Sequence, residues 1–242
     1  MKTIVLLPIV SGNGSKYLTT ALANSYKELN KSKRVAIVDF DVKNPYLANA
    51  LTNDEVHGID TLIDKIDGDI LSENLFMENM IKLKNDVDLL KGTKFFNSYE
   101  VFEKKHAEKI LSMLDSIYDV VFISLSSDFD NYLSACALVK ADNVLMVARD
   151  NQSSLKSFER IAEIVRNYSN GDLKTIINMY TGNSKVDISQ TSKKVGIEVA
   201  GTVEYDENTI DNVNIGGTIV GGLFRNKKKN EDNFKEILTK LF

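Results

Sequence analysis

The amino-acid sequence predicts an α/β fold in which helices flank a doubly wound, mostly parallel sheet. Two observations predict it: apolar runs rich in Val and Ile alternate with stretches of helical periodicity, and these runs are apolar throughout. Continuous apolar runs are typical of strands buried on both faces of a parallel sheet, and the alternation is typical of α/β folds. With two prolines and no low-complexity linker, residues 1–242 are predicted to form one domain.

The predicted strands and helices follow one another along the whole chain. Strands are predicted at residues 3–10, 34–40, 119–125, 143–148, 174–179 and 198–203. Helices are predicted at residues 18–30, 45–51, 58–66, 98–116, 130–139, 152–168, 186–195 and 231–242, where apolar residues recur at helical spacing. The stretch 53–97 is the least regular, and its turn-like residues 67–69 and 92–93 predict a surface insertion.

Composition narrows the class of protein. A net charge of -4 shows no basic excess, which disfavours nucleic acid as a partner. The single cysteine, Cys136, rules out a disulfide scaffold and favours a reducing cytoplasm, and two histidines, His57 and His106, disfavour a multi-histidine metal site. The apolar run after Met1 is about eight residues long, too short for a membrane span. A cytoplasmic protein is therefore expected.

The segment after the first predicted strand has the frame of a phosphate-binding loop, G-x-x-x-x-G-K-S/T. Such a loop surrounds phosphate with backbone N–H groups, adds a lysine, and holds magnesium through the hydroxyl. Gly12 takes the first glycine position and Thr19 the hydroxyl position, but Tyr17 replaces the second glycine and Leu18 replaces the lysine. We expect the Tyr17 ring to fill part of the phosphate position. A strand–turn–helix junction without a ligand is the alternative.

The next segment, residues 34–47, reads R-V-A-I-V-D-F-D-V-K-N-P-Y-L. It resembles the VDxDxxNPxL segment of the MinD/ParA group of deviant P-loop ATPases, and residues 13–20 align without a gap on that family's K-G-G-x-G-K-S/T-S/T loop. Similar matches, in the family's order, cover nearly the whole chain at residues 118–127, 141–147, 178–180 and 199–206. Within the group, the chain is most similar to the TadZ/CpaE-like proteins that position pilus machinery.

The resemblance implies a set of site residues. If nucleotide binding is retained, it would use Asn178 near the adenine and the loop residues Gly12, Asn13, Gly14, Ser15, Lys16, Tyr17, Leu18, Thr19 and Thr20. Magnesium, if nucleotide binds, would be held by Thr19, Asp39 and Asp41. For Asp39 and Asp41 the alternative is that they cap the turn after their strand, and Asn178 has the same alternative.

Three charged positions of the family are neutral in this chain. The two family lysines correspond to Asn13 and Leu18, and the aspartate of the third motif corresponds to Ser124. Phosphoryl transfer depends on such charges. The sequence therefore predicts a pseudo-ATPase with no catalytic residue and no retained cofactor, which acts as a positioning or scaffolding protein. The alternative is a slow ATPase that still binds ATP and magnesium and uses Lys16 as a displaced cation.

The end of the chain carries an apolar helical face behind a basic cluster. The cluster is Lys227, Lys228 and Lys229, and the face is formed by Phe234, Ile237, Leu238, Leu241 and Phe242. Such a helix either binds the inner face of an anionic membrane or packs on the sheet. The resemblance further implies protein partners in a localisation or assembly machine, and a homodimer.

Overall fold

The computed structural model describes residues 1–52, 58–83, 85–94, 101–206 and 227–242, with the backbone alone at 50 and 227–229. Its strands are β1 (Lys2–Pro8), β2 (Val35–Asp39), β3 (Met80–Lys82), β4 (Asp88–Leu90), β5 (Val120–Ser124), β6 (Asn143–Ala148), β7 (Asp172–Tyr180) and β8 (Glu198–Glu204). They form one sheet in the order β3-β4-β2-β5-β1-β6-β7-β8. Neighbouring strands pair in parallel, except that β3 and β4 are antiparallel.

Helices cover both faces of this sheet, which confirms the predicted α/β fold. They are α1 (Ser15–Leu29), α2 (Ile63–Asp67), α3 (Glu73–Met77), α4 (Lys104–Ile117), α5 (Tyr132–Lys140), α6 (Gln152–Tyr168), α7 (Ile188–Lys194) and α8 (Lys227–Thr239), with 3-10 turns at Ala48–Ala50 and Ile59–Leu62. Alternate strand residues enter two cores: Ile4 and Leu6 of β1 join α1 and α8, whereas Val5 and Leu7 join α4, α5 and α6.

The sheet topology determines where a ligand site can form. Strand β1 lies between β5 and β6, and the chain runs from β1 to β2 on one side and later to β6 on the other. In open α/β sheets, ligands bind beyond the carboxyl ends of the strands where the winding changes direction. The loops after β1, β2 and β5 all lie at that edge.

Several element boundaries differ from the sequence prediction. The stretch predicted to be an insertion contributes β3 and β4 to the sheet edge, and the predicted helix 45–51 is only a 3-10 turn. Residues 53–57, with His57, lie outside the described residues, as do 95–100 at the predicted start of the helix before β5. The largest functional difference is at α1, which begins at Ser15 rather than at residue 18.

The C-terminal helix packs on the sheet. Phe234, Ile237, Leu238 and Leu241 are buried against the α1 side of the sheet, and the Phe242 ring stacks on Tyr26 with a centroid distance of 4.4 Å. The apolar face is thus used inside the fold, as the packed alternative expects. The side chains of residues 227–229 lie outside the described ones. None of the described helices combines the length and apolarity needed to cross a bilayer.

Candidate functional site

The loop after β1 turns into α1 through two glycines in the left-handed region. Gly12 has φ 83° and Gly14 has φ 84°, a conformation that glycine adopts without steric cost. Gly14 is also fixed by space, since a Cβ there would lie 2.3 Å from Nδ2 of Asn178. With Gly14 as the N-cap, α1 starts at Ser15, and the N-cap residue supplies no side-chain capping hydrogen bond.

This early helix start changes where the phosphate-loop positions point. Leu18 becomes the fourth helical residue, and its side chain is fully buried in the core beside Ile4 and Leu6. Thr19 is also fully buried, and its hydroxyl donates to the Ser15 carbonyl at 2.8 Å. The Thr20 hydroxyl likewise donates within the helix, to the Lys16 carbonyl at 3.1 Å. These three predicted site residues are not brought to the pocket, and Thr19 is not placed as a magnesium ligand.

The Tyr17 ring packs away from the loop. It lies against the core on the α1 side, and its centroid is 6.4 Å from that of Phe234 in α8. The prediction that Tyr17 fills part of the phosphate position is therefore wrong. Because Tyr17 already belongs to α1, its side chain reaches α8, where Phe234 provides an aromatic contact.

Two buried amides hold the loop in place. The Asn13 side chain is 2% exposed, and its Nδ2 donates to the Val147 carbonyl and to Ser154 Oγ, both at 3.1 Å. Asn178 Nδ2 donates to the Asn13 carbonyl at 2.8 Å. The loop is thereby tied to the ends of β6 and β7 and to the start of α6. Asn178, predicted near an adenine, is engaged with the loop itself.

A non-glycine residue in the left-handed region follows Asn178. Met179 has φ 53°, and the register between β7 and β8 shifts between Ile177 and Tyr180. A side chain in this region costs free energy, which the surrounding structure has to offset. The irregular backbone lies at the point where the Asn178 amide contacts the loop, so the strained residue and the loop contact occur together.

The two aspartates after β2 shape the next loop, residues 39–47. Asp39 is fully buried, and its two oxygens accept from the N–H groups of Asp41 and Leu47, each at 3.1 Å. Burial raises the pKa of Asp39 to about 7; the positive charge of Lys16 opposes this rise and the negative charge of Asp41 adds to it. Asp41 Oδ1 accepts from Asn44 N–H at 3.0 Å. Both carboxylates thus cap the turn, the alternative stated above for them.

Two lysines connect this second loop to its neighbours. Lys16 Nζ lies 2.8 Å from Asp41 Oδ2 and also donates to the Asn44 carbonyl. On the other side, Lys43 Nζ lies 3.1 Å from Asp130 Oδ2 and 3.6 Å from Asp128 Oδ2, in the segment after β5. Loop 39–47 is therefore held by charged contacts on both sides.

A pocket of about 210 Å³ remains between these loops. It is smaller than the roughly 300–1,000 Å³ that is usual for small-molecule sites. Its lining consists of Pro8, Ser11, Gly12, Gly14, Ser15, Lys16, Asp41, Asn44, Ser126 and Ser127. Nearby, Ser124 is fully buried and its hydroxyl has no hydrogen-bond partner among the described residues. The sequence analysis did not assign Ser11, Asn44, Ser126 or Ser127 to the site, although the last three lie in the matched segments 34–47 and 118–127.

The side chains around this pocket fit a magnesium nucleotide poorly. Leu18 supplies no charge, Lys16 is paired with Asp41, and the oxygens of Asp39 accept from backbone groups. The described residues contain no group of three or more His, Cys, Asp or Glu side chains that could hold a metal ion. Among the described residues, the structure therefore has a small polar pocket whose lysine, Lys16, is paired with Asp41.

The fold and the position of this pocket define an α/β architecture of the P-loop NTPase type. No family model matches the chain, and no curated protein matches it by sequence. Solved structures of the MinD/ParA type match it closely in fold. A ParA family ATPase from Chlorobium tepidum has a TM-score of 0.82 at 14% identity, covering 99% of this chain and 97% of that one.

Two MinD structures extend the comparison. A MinC:MinD cell division protein complex from Aquifex aeolicus has a TM-score of 0.77 at 18% identity, covering 100% of this chain and 96% of that one. The septum site-determining protein MinD from Pyrococcus horikoshii, complexed with Mg-ADP, has a TM-score of 0.76 at 15% identity, with coverages of 99% and 95%. The part of the chain that the structure describes therefore has the MinD/ParA fold.

Proposed function

We propose that this chain is a MinD/ParA-like pseudo-ATPase that acts as a positioning or scaffolding protein, with ATP hydrolysis lost or very weak. One observation carries the proposal: the position of the phosphate-binding lysine is Leu18, which lies within α1 and is buried in the core. A different rotamer of Leu18 could not bring a charge to the pocket.

The expected loss of catalysis follows from the chemistry of phosphoryl transfer. Cations and metal ions stabilise the charge of the transition state, and removing one stabilising group typically costs about 2.7–4 kcal/mol. Asn13, Leu18 and Ser124 are all uncharged where the family carries charge, and all three are buried. Such losses are not additive, but together they support a rate close to the uncatalysed one.

The contacts of the loop support a role without a nucleotide cycle. The Asn178 amide donates to the Asn13 carbonyl at 2.8 Å, and the Asn13 amide donates to the Val147 carbonyl at 3.1 Å, so contacts within the protein hold the loop. The loop is organised in the protein alone, so its shape need not depend on ATP.

The partners of such a protein would be other proteins. One structural neighbour is a MinC:MinD complex, and the resemblance to TadZ/CpaE-like proteins makes pilus machinery one candidate. We further propose a single domain over residues 1–242, a cytoplasmic location and self-association as a homodimer. The apolar face of α8 is packed against α1 and β8, which argues against membrane attachment through this helix.

Calorimetric titration of the purified chain with ATP and ADP, with and without magnesium, tests this proposal, combined with a phosphate-release assay. We expect no binding at micromolar nucleotide and no magnesium-dependent turnover. Lys16→Ala, purified in the same way, is the control for contaminating ATPases, because a contaminant would be equally active in both samples. Tight ATP binding with magnesium-dependent turnover that Lys16→Ala removes would refute the proposal.

That last result would instead establish the alternative, a slow ATPase with a displaced cation. The observation that favours this alternative is that Lys16 lines the pocket and its ammonium group reaches the loop after β2. The two functions therefore differ in one measurable property, the dependence of nucleotide binding on Lys16.

A further inference from the structure

The charges in the pocket between the loops cancel one another. Of the described residues that line it, Lys16 and Asp41 are the charged ones, and their side chains meet at 2.8 Å between Nζ and Oδ2. The Lys16 side chain is 25% exposed and that of Asp41 is 10% exposed, so solvent and salt screen the pair only in part. The lining therefore has no net charge to attract an anion.

The backbone of the second loop holds Asp41 in this position. Asp41 Oδ1 accepts from Asn44 N–H at 3.0 Å, while the Asn44 carbonyl accepts from Lys16 Nζ. One carboxylate oxygen thus fixes the turn and the other binds the lysine. The Lys16–Asp41 ion pair is therefore part of a closed ring of contacts between Lys16, Asp41 and Asn44, which fixes the positions of both side chains.

The rest of the pocket is suited to an oxyanion. The lining includes Ser11, Ser15, Ser126 and Ser127, which carry hydroxyl groups, and Gly12 and Gly14 at the turn into α1, which carry backbone N–H groups. These groups are donors for phosphate oxygens. An anion that enters has to compete with the Asp41 carboxylate for Lys16 and is repelled by that carboxylate.

We propose that Asp41 is an autoinhibitory counter-anion, which occupies Lys16 and keeps phosphate compounds out of the pocket. The inference rests on the proposed function, since it explains how a phosphate-binding frame can stay closed to nucleotide. Removing the charge of Asp41, with Lys16 left in place, makes the lysine available to a phosphate group.

Asp41→Asn tests this by gain of binding. The asparagine keeps an Oδ1 acceptor for Asn44 N–H and changes the net charge of the lining from zero to one positive. Calorimetry with inorganic pyrophosphate in magnesium-free buffer is expected to show a dissociation constant at least about tenfold lower for Asp41→Asn than for the unaltered chain, about 1.4 kcal/mol. The double variant Lys16→Met with Asp41→Asn is expected to lose that gain.

Asp130→Asn is the matched control, because it removes a lysine-paired carboxylate that does not line the pocket. It should leave pyrophosphate binding unchanged. If Asp41→Asn fails to fold, as judged by circular dichroism, Asp41→Ser replaces it, since a serine hydroxyl can also accept from a turn N–H.

Two results would overturn the inference: Asp41→Asn that binds pyrophosphate no more tightly than the unaltered chain, or a gain that survives in the double variant. Neither result bears on the proposed function, which fails only if the unaltered chain binds and turns over ATP. The two ideas can therefore fail separately.

Discussion

Two loops at the same edge of the sheet are held in place by opposite kinds of chemistry. The loop after β1, residues 9–14, is held by the neutral amides of Asn13 and Asn178, each about 2% exposed. The loop after β2, residues 39–47, is held by charges: the Asp39 carboxylate, the Lys16–Asp41 pair and the contacts of Lys43.

The difference separates a fixed region from an adjustable one. Neutral hydrogen bonds in a buried network respond little to pH or salt, and breaking one leaves a polar group without a partner. Charged contacts depend on protonation, on ionic strength and on competing ions. We therefore expect the shape of the first loop to be independent of pH and salt. The contacts of the second loop are expected to change with pH, ionic strength and competing ions.

Asn13→Lys, which restores the family's lysine at this position, is expected to break the neutral network. The new ammonium group would replace an amide that is 2% exposed and that donates to the Val147 carbonyl and the Ser154 hydroxyl, neither of which carries a charge. A buried charge without a counter-ion typically costs about 3 kcal/mol or more. We expect the free energy of unfolding, measured by urea denaturation, to fall by about that amount.

Ser11→Lys is the matched control for this change. Ser11 belongs to the same segment but is exposed, so a lysine there keeps its water. Its effect should stay within about 0.5 kcal/mol. If Asn13→Lys were as stable as Ser11→Lys, the buried amide would not hold the loop, and the contrast between the two loops would disappear.

The burial of Asp39 predicts a pH dependence of the free energy of unfolding that arises in the second loop. Burial raises its pKa from 3.8 to about 7, so between these values the folded chain binds the proton more tightly than the unfolded chain. Stability therefore falls as pH rises through this window. The expected loss due to Asp39 is about 2 kcal/mol between about pH 5.5 and about pH 8.5.

The measurement is urea denaturation across this pH range for the unaltered chain and for Asp39→Asn. The variant has one acceptor fewer for the two N–H groups that the carboxylate serves, so its stability is lower at acid pH, but its pH profile should be flatter. Subtracting the two profiles removes the other titrating groups. Parallel profiles would show that Asp39 titrates outside this window.

Much of the fold could be predicted from local sequence. The run 143–148 coincides with β6, and the helix at 152–168 coincides with α6, because buried strands and amphipathic helices have clear periodicity. Strands β3 and β4 were not predicted. Each has three residues and no clear pattern of its own; β4 pairs with β2, and β3 pairs with β4.

The site was harder to predict, because its contacts join distant parts of the chain. The sequence singled out positions 13, 18 and 178, but it did not predict where the side chain of each residue lies in the fold. Asn178 meets a carbonyl 165 residues away, and Tyr17 meets a ring from the last helix. The start of α1 at Ser15 depends on Gly14, whose left-handed backbone cannot be read from the phosphate-loop pattern.

The smallest expected effect concerns the outer contact of the second loop. Lys43 meets Asp130 and Asp128, whose side chains are 68% and 67% exposed, so water screens both pairs. Lys43→Gln should lower the free energy of unfolding by about 0.5 kcal/mol at low salt and by less at high salt, as for other exposed ion pairs. Urea denaturation at two ionic strengths measures this.

The pH dependence of this contact also differs from that of Asp39. The hydrogen bond to Asp130 raises the pKa of Lys43 from 10.5, so its contribution is present below that value and is lost only as pH rises through the higher folded value. Lys43→Gln should therefore keep the profile of the unaltered chain near neutral pH. A loss above about 2 kcal/mol, or a changed slope near neutral pH, would mean that Lys43 and not Asp39 controls the response of this loop.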